Sequence, residues 1–239
     1  MAAQQVQDKE PLKLHCVSGI QQFVTSEDCM QDFSLARRAM VDSQLRPEGV
    51  TDRGVLAAMG EVAREDFVPA ETRALAYFDR PLKIAAGRAM MPPAALGKLL
   101  TELAPKAGER ALVVGSGTGY SAALLKSIGL DVVALESDKS LAAAATAAGI
   151  ETVVGDLDKG WAKSAPYDLI LLDGAVEEVP VALVKQLRDG GRLAGAICER
   201  GVSRLAIGLA AHGALGLRTI ADAEVEQLPG FERPRAFTF

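Results

Sequence analysis

The sequence predicts an α/β fold, an open and mostly parallel sheet whose ligand crevice lies at the carboxyl ends of the strands. The stretch Ala111-Leu-Val-Val-Gly-Ser-Gly-Thr-Gly-Tyr120 is a short apolar run that breaks into alternating glycines and passes into the helix-forming Ser121-Ala-Ala-Leu-Leu-Lys126. That is the pattern of a strand, a tight turn and a helix. Three more apolar runs follow, 130–135, 152–154 and 167–172, and they end on Glu136, Gly155-Asp156 and Asp173. Glycines and acids recurring at four strand ends mark one shared crevice rather than four unrelated turns. Composition agrees, since 239 residues, 49% hydrophobic with only 5% aromatic, suffice for a sizeable core of Ala, Val and Leu.

From the amino end, residues 1–29 show no sustained helical or strand period and read as a loose tail, with Met30 a natural start. Met30 opens an amphipathic helix through Leu45, with Phe33, Ala36, Met40, Val41 and Leu45 near one face. After Arg46-Pro47, Thr51 caps a second helix running to Met59, and Phe67-Val-Pro69 interrupts the chain. The α/β core begins at Thr101 and continues through the four strands, with an alanine-rich helix over 142–148.

The glycine turn states what kind of ligand is expected. A turn without β-carbons lets a ligand approach the backbone, and the helix opening there offers unpaired N–H groups to an anionic group. The spacing is Gly115-x-Gly117-x-Gly119 with Tyr120 where a dinucleotide fingerprint has its last glycine, so pyrophosphate binding is disfavoured. Glu136 can accept hydrogen bonds from both hydroxyls of a ribose, which suits a nucleoside. The expected cofactor contacts are Gly115, Ser116, Gly117, Thr118 and Gly119 in the turn, Glu136 and Ser137 after the second strand, Asp156 and Leu157 after the third, and Asp173 after the fourth. An acid in the position of Asp173 can also serve as a helix cap.

Other classes are excluded or left without support. A net charge of −5 gives no bulk attraction to nucleic acid or an anionic membrane, and no apolar stretch approaches the roughly 20 residues of a membrane span. Cys16, Cys29 and Cys198 have no metal-ligand spacing and an odd number for disulfides, so no metal is expected and a reducing, cytoplasmic compartment is. His15 and His212 read as surface or packing residues, and Trp161 and Tyr167 as packing beside the nucleoside region.

Glycine turn, Glu136 and Asp156 together resemble a class I S-adenosylmethionine (SAM) methyltransferase. Met40-Val-Asp-Ser-Gln-Leu45, Val50-Thr-Asp52, Val55-Leu56, Phe67-Val-Pro69, Ala76-Tyr77, Asp79-Arg-Pro-Leu82, the glycine turn, Gly160-Trp161, Ala165-Pro-Tyr-Asp168 and Gln186-Leu-x-x-Gly-Gly-Arg-Leu193 sharpen the likeness. In this order they are similar to the protein-L-isoaspartate O-methyltransferase family, from about residue 35 to about 200. The resemblance implies a Rossmann-like, mostly parallel seven-stranded sheet with helices on both faces and an N-terminal helical cover. It also implies SAM as cofactor, and as substrate the abnormal carboxylate left when asparagine or aspartate isomerises in a protein. The expected organisation is a tail over 1–29, a helical cover and substrate loop over 30–100 and the SAM-binding region over 101–239, with 30–239 one compact unit.

The chain departs from that family where the substrate should sit. After Asp-Arg-Pro-Leu the family carries a loop of the form Gly-Gln-Thr-Ile-Ser, and its serine hydroxyl faces the substrate carboxylate. Here the residues are Gly87, Arg88, Ala89, Met90 and Met91, so the catalytic serine cannot be carried over. Arg88 is open to two readings, a bidentate clamp on a substrate carboxylate or a solvated surface charge. The two methionines either pack the loop onto the core or form an apolar pocket. Asp173 is a second departure and the region after residue 200 a third, with Arg204–Leu209 and Phe231–Phe239 aligning only loosely.

Methyl transfer from a sulfonium is an in-line displacement with a good leaving group, so alignment and exclusion of water matter most. A carboxylate nucleophile with a pKa near ~4 is already ionised at neutral pH and needs no base. The leading expectation is SAM-dependent O-methylation of a protein or peptide carboxylate, weak or lost on isoaspartyl peptides. The alternatives are a methyltransferase with another substrate and a non-catalytic SAM-binding or regulatory protein. Oligomeric state is not legible in the sequence.

Overall fold

The structure is a computed structural model and describes residues 32–233. Residues 1–31 and 234–239, among them Met30, His15, Cys16 and Cys29, lie outside the described residues.

Asp32 begins the order, its carboxylate accepting from Ser34 and Leu35 N–H and so capping α1 (Phe33–Met40). The helix continues into a π-type turn over Val41–Leu45, which brings Met40 and Leu45 to full burial. The second helix, α2 (Arg53–Glu61), is capped by Asp52 rather than Thr51, because the Asp52 carboxylate reaches Val55 N–H at 2.9 Å. Two short 3₁₀ turns, Arg64–Phe67 and Ala70–Leu75, carry the chain past Phe67-Val-Pro69.

The expected substrate loop is a β-hairpin. Its strands β1 (Leu82–Ala85) and β2 (Arg88–Met90) pair Leu82 with Met90 and Lys83 with Ala89 across a turn in which Gly87 has φ +64°. Helix α3 (Pro93–Leu103) follows, with Pro at its first turn, where a missing N–H costs nothing, and the Asp79 carboxylate on Ala94 N–H.

The main sheet then begins with β3 (Arg110–Val114), α4 (Tyr120–Ile128), β4 (Asp131–Glu136), α5 (Lys139–Ala147), β5 (Thr152–Val154), β6 (Tyr167–Val176), α6 (Val181–Val184), β7 (Leu187–Glu199), β8 (Val202–Ala211) and β9 (Ala214–Asp222). The sheet order is β5-β4-β3-β6-β7-β8-β9, with parallel pairing from β5 to β7 and antiparallel pairing of β7 with β8 and β8 with β9. This is the mostly parallel seven-stranded sheet expected, and the loosely aligned residues after 200 supply its last two strands. The core lies on both faces. Ala111, Val113, Leu169 and Leu171 join the cluster that includes the N-terminal helices, while Leu112, Val114, Ile170 and Leu172 join the other. A strand covered on both faces reads as an unbroken apolar run, the pattern in both sequences. Among the described residues no helix is long and apolar enough to cross a membrane.

One expected boundary moves. β6 does not end at Asp173 but runs to Val176, because its ladder with β7, interrupted after the Leu171–Ala194 pair, resumes at Ala175–Ala196. Asp173 sits in that irregular stretch, where a strand can re-aim a side chain while still in the sheet.

Candidate functional site

The turn after β3 is a run of left-handed glycines. Gly115, Gly117 and Gly119 have φ of +73°, +55° and +99°, a left-handed course that side chains with a β-carbon rarely take. Gly115 and Ser116 N–H both donate to Leu135 O, at 2.9 and 3.0 Å, which binds the turn to the end of the neighbouring strand. Gly117 N–H donates to Glu136 Oε2 at 2.8 Å, and Thr118 Oγ1 to Phe67 O at 2.5 Å.

Glu136 is where the structure adds most. The side chain is fully buried, and both oxygens are held by Arg88, Nη1 to Oε1 at 2.6 Å and Nη2 to Oε2 at 2.8 Å. Ser137 and Asp138 N–H also donate to Oε1, at 2.7 and 3.0 Å. Burial works to raise the Glu136 carboxyl, but the Arg88 hydrogen bond and charge, with the N–H groups of Asp138 and Gly117, hold it below the usual carboxylate range. Arg88 is therefore neither solvated nor open to a substrate. It is 7% exposed, and Nη2 also donates to Gly115 O at 3.0 Å.

Other side chains close over the turn. A β-carbon placed on Gly117 would lie 2.8 Å from Ile84 of the hairpin, and one on Gly115 2.6 Å from Leu228. Leu228 arrives on a segment after β9 that is tied to β6 by Ala175 N–H on Glu226 O and Leu228 N–H on Ala175 O, both 2.8 Å. Residues of the kind a nucleoside cofactor needs are thus present, an acid at the end of β4 and a glycine backbone beside it. The space before them is held by Arg88, Ile84 and Leu228.

The remaining expected residues spread over two surroundings. Asp156 is exposed beyond β5 and pairs with Lys159, while Leu157 beside it is buried. Ser137 is exposed. Asp173 instead faces a small polar chamber with Ser116, Tyr120, Ser121 and Arg64, which with the loop enclose about 10 Å³, room for one water. Burial pushes the Asp173 carboxyl up to about 6, against the Ser121 hydrogen bond and the charges of Arg88 and Arg64. In the loop, Met90 and Met91 are buried at 7% and 2% exposure and pack with the core. Trp161 and Tyr167 pack in the second core cluster, with Tyr167 Oη donating to Trp161 O at 2.7 Å. His212 is exposed at the β8–β9 turn.

Sequence reasoning missed Arg64 altogether. Its guanidinium is fully buried, with Nε on Ala76 O and Nη2 on Met91 O, both 2.7 Å, and lies 4.9 Å over the Tyr120 ring. Among the described residues, Arg64 Nη1, Tyr120 Oη and Ser116 Oγ are buried without a hydrogen-bond partner. The available signal was a single arginine followed closely by Phe67-Val-Pro69, which does not distinguish a buried cation from a surface one.

A family model described as protein-L-isoaspartate(D-aspartate) O-methyltransferase matches residues 36–206. The chain is 44% identical over 164 residues to the protein-L-isoaspartate O-methyltransferase of Methylorubrum populi, covering 66% of this chain and 77% of that one. It is 38% identical over 207 residues to protein-L-isoaspartate O-methyltransferase 2 of Marinobacter nauticus, covering 82% and 90%. A solved protein-L-isoaspartate O-methyltransferase superposes with a TM-score of 0.72 at 24% identity, over 81% of this chain and 66% of that one. A Plasmodium falciparum relative in complex with S-adenosyl-L-homocysteine does so at 0.70 and 22%, over 80% and 97%. These two show the fold. By the family model and its relatives, the chain belongs to the protein-L-isoaspartate O-methyltransferase family, whose methyl donor is SAM.

Proposed function

We propose that this chain is a SAM-dependent methyltransferase that esterifies a protein or peptide carboxylate of the isoaspartyl type, with low activity on ordinary isoaspartyl peptides. The observation that carries this reading is the seating of the hairpin with residues 88–91 directly on the glycine turn and Glu136. Cofactor-type and substrate-type residues thereby share one crevice.

SAM would supply an electrophilic methyl group on a sulfonium. Gly115, Gly117 and Glu136 would hold it, with Asp156 and Leu157 at the neighbouring strand end. The chain's own part is to orient and to exclude water, since a carboxylate nucleophile is ionised at neutral pH and needs no base. Ala89 and Met91 offer no hydroxyl to that carboxylate, so recognition suffers before chemistry does. Lost polar contacts at an aligned site cost about 10²-fold or more in specificity.

The test is transfer of labelled methyl from SAM to an isoaspartyl peptide, beside calorimetric titration with SAM. Binding with little transfer is expected. The fourfold change Arg88→Gln, Ala89→Thr, Met90→Ile and Met91→Ser should raise transfer; because it replaces two buried methionines, a melting curve must accompany it. Robust transfer by the unaltered chain would refute the emphasis on the loop. Absence of SAM binding would refute the cofactor reading.

A further inference from the structure

We propose that Arg88 is a tethered competitor for the nucleoside site, and that the β1–β2 hairpin is a lid latched shut by the Arg88–Glu136 pair. The inference rests on the cofactor reading above.

The count of hydrogen bonds leads to it. An ionised carboxylate offers about four lone-pair positions. Glu136 already receives two guanidinium N–H groups from Arg88 and three backbone N–H groups, from Gly117, Ser137 and Asp138. No position is left for the two hydroxyls of a ribose. The three backbone donors belong to the strand end and the turn themselves and stay in place. The donors that can leave are side chains, the Arg88 pair and the longer Ser137 Oγ contact at 3.3 Å on Oε1. Departure of Arg88 leaves Oε2 with Gly117 N–H alone, so one ribose hydroxyl takes the position opened there and the second takes the place of Arg88 Nη1 or Ser137 Oγ on Oε1.

The same hairpin controls the space. Arg88 lies on Gly115 O, and Ile84 lies over Gly117, so one movement of one hairpin uncovers the turn between them. A cleft of about 310 Å³ lined by Phe67, Pro69, Ile84, Thr118 and Leu141 shares Ile84 and Thr118 with the chamber beneath the loop. Withdrawal of Ile84 joins the two. Met91 remains anchored by Arg64 through its carbonyl, which places the hinge at the end of β2. Because Ala89 and Met90 ride on the moving strand, release of the latch by cofactor also rearranges the substrate loop.

The apparent affinity of such a site is its intrinsic affinity reduced by the fraction of open lid. Titration of the full chain with S-adenosylhomocysteine should give a dissociation constant about tenfold or more tighter in Arg88→Gln than in the unaltered protein. In the Glu136→Gln background, where the latch is already weakened, Arg88→Gln should bring no comparable gain. Since Arg88→Gln leaves a buried carboxylate without its cation, circular dichroism must show that it folds. A second measurement uses the unaltered protein alone. Arg88 should resist phenylglyoxal in the free chain and become modified when S-adenosylhomocysteine saturates it, as read by peptide mass spectrometry. Equal affinity of the two chains, or Arg88 modified no faster with ligand bound, overturns the latch and leaves the cofactor reading standing. No binding by the unaltered chain or by a folded variant overturns both.

Discussion

Asp173→Asn isolates the cost of a half-buried negative charge in the crevice. Asp173 has its carboxyl raised to about 6 by burial, against an ordinary value of 3.8. A raised acid binds its proton more tightly in the folded state than in the unfolded one, so stability falls as pH rises between those two values. Above pH 6 the ionised carboxylate costs the fold about 3 kcal/mol, taking about 1.4 kcal/mol per unit. Between pH 4.5 and pH 7.5 the difference is about 2 kcal/mol. Asparagine keeps the shape of the side chain and can still bond Ser121, but it has no charge to bury. Urea denaturation of both proteins across that range should therefore show the variant gaining on the unaltered chain by about 2 kcal/mol, or roughly 4–8 °C in melting temperature. A difference that stays constant with pH would show that Asp173 is not the group that titrates there, and that the chamber is better hydrated than its 10 Å³ implies.

Glu136→Ala should do more than weaken cofactor binding. It strands the buried Arg88 guanidinium, and breaking one partner of a buried pair costs about 3–5 kcal/mol, so urea curves should shift by that order while Glu136→Ala with Arg88→Met recovers much of it; a single variant as stable as the parent would count against the pair. Acid titration should show the opposite sign from Asp173, because the lowered Glu136 carboxyl stabilises the fold above its unfolded value of about 4.5 and loses that contribution as pH falls further. Gly117→Val meets Ile84 at 2.8 Å in a left-handed backbone, so a drop in melting temperature and loss of S-adenosylhomocysteine binding are expected; normal titration would move the site elsewhere. A chain beginning at Met30 should melt within a few degrees of full length, given the aperiodic sequence before it, and its failure to fold would join residues 1–29 to the domain.

Sheet and turn were legible because their signals are local. Buried parallel strands are short unbroken apolar runs, and glycines at a strand end have few other uses, so β3 to β6 stand within a residue or two of expectation at most ends. The far end of β6 was not, since its extension depends on pairing with β7, a partner distant in sequence. Asp52 took the cap from Thr51 because both residue types cap well and only geometry chooses between them. The loop replacement was visible in the letters, but the destination of Arg88 was not. Its partner lies 48 residues away, and nothing in a single sequence relates the two. Arg64 and Leu228 escaped for the same reason, as their meaning lies entirely in what they touch across the fold.

The hold of Arg64 on the loop falls on the carbonyl oxygen of Met91, an atom that every amino acid supplies. The path of the chain past the crevice is thereby uncoupled from the identity of the side chain at that position. Serine, methionine or any other residue that fits the space can be mounted at 91 without unfastening the backbone beneath it. Polarity at the buried wall of the chamber becomes a replaceable fitting on a fixed bracket. A series of substitutions at residue 91 should accordingly alter which acceptors the protein favours far more than it alters where the loop runs.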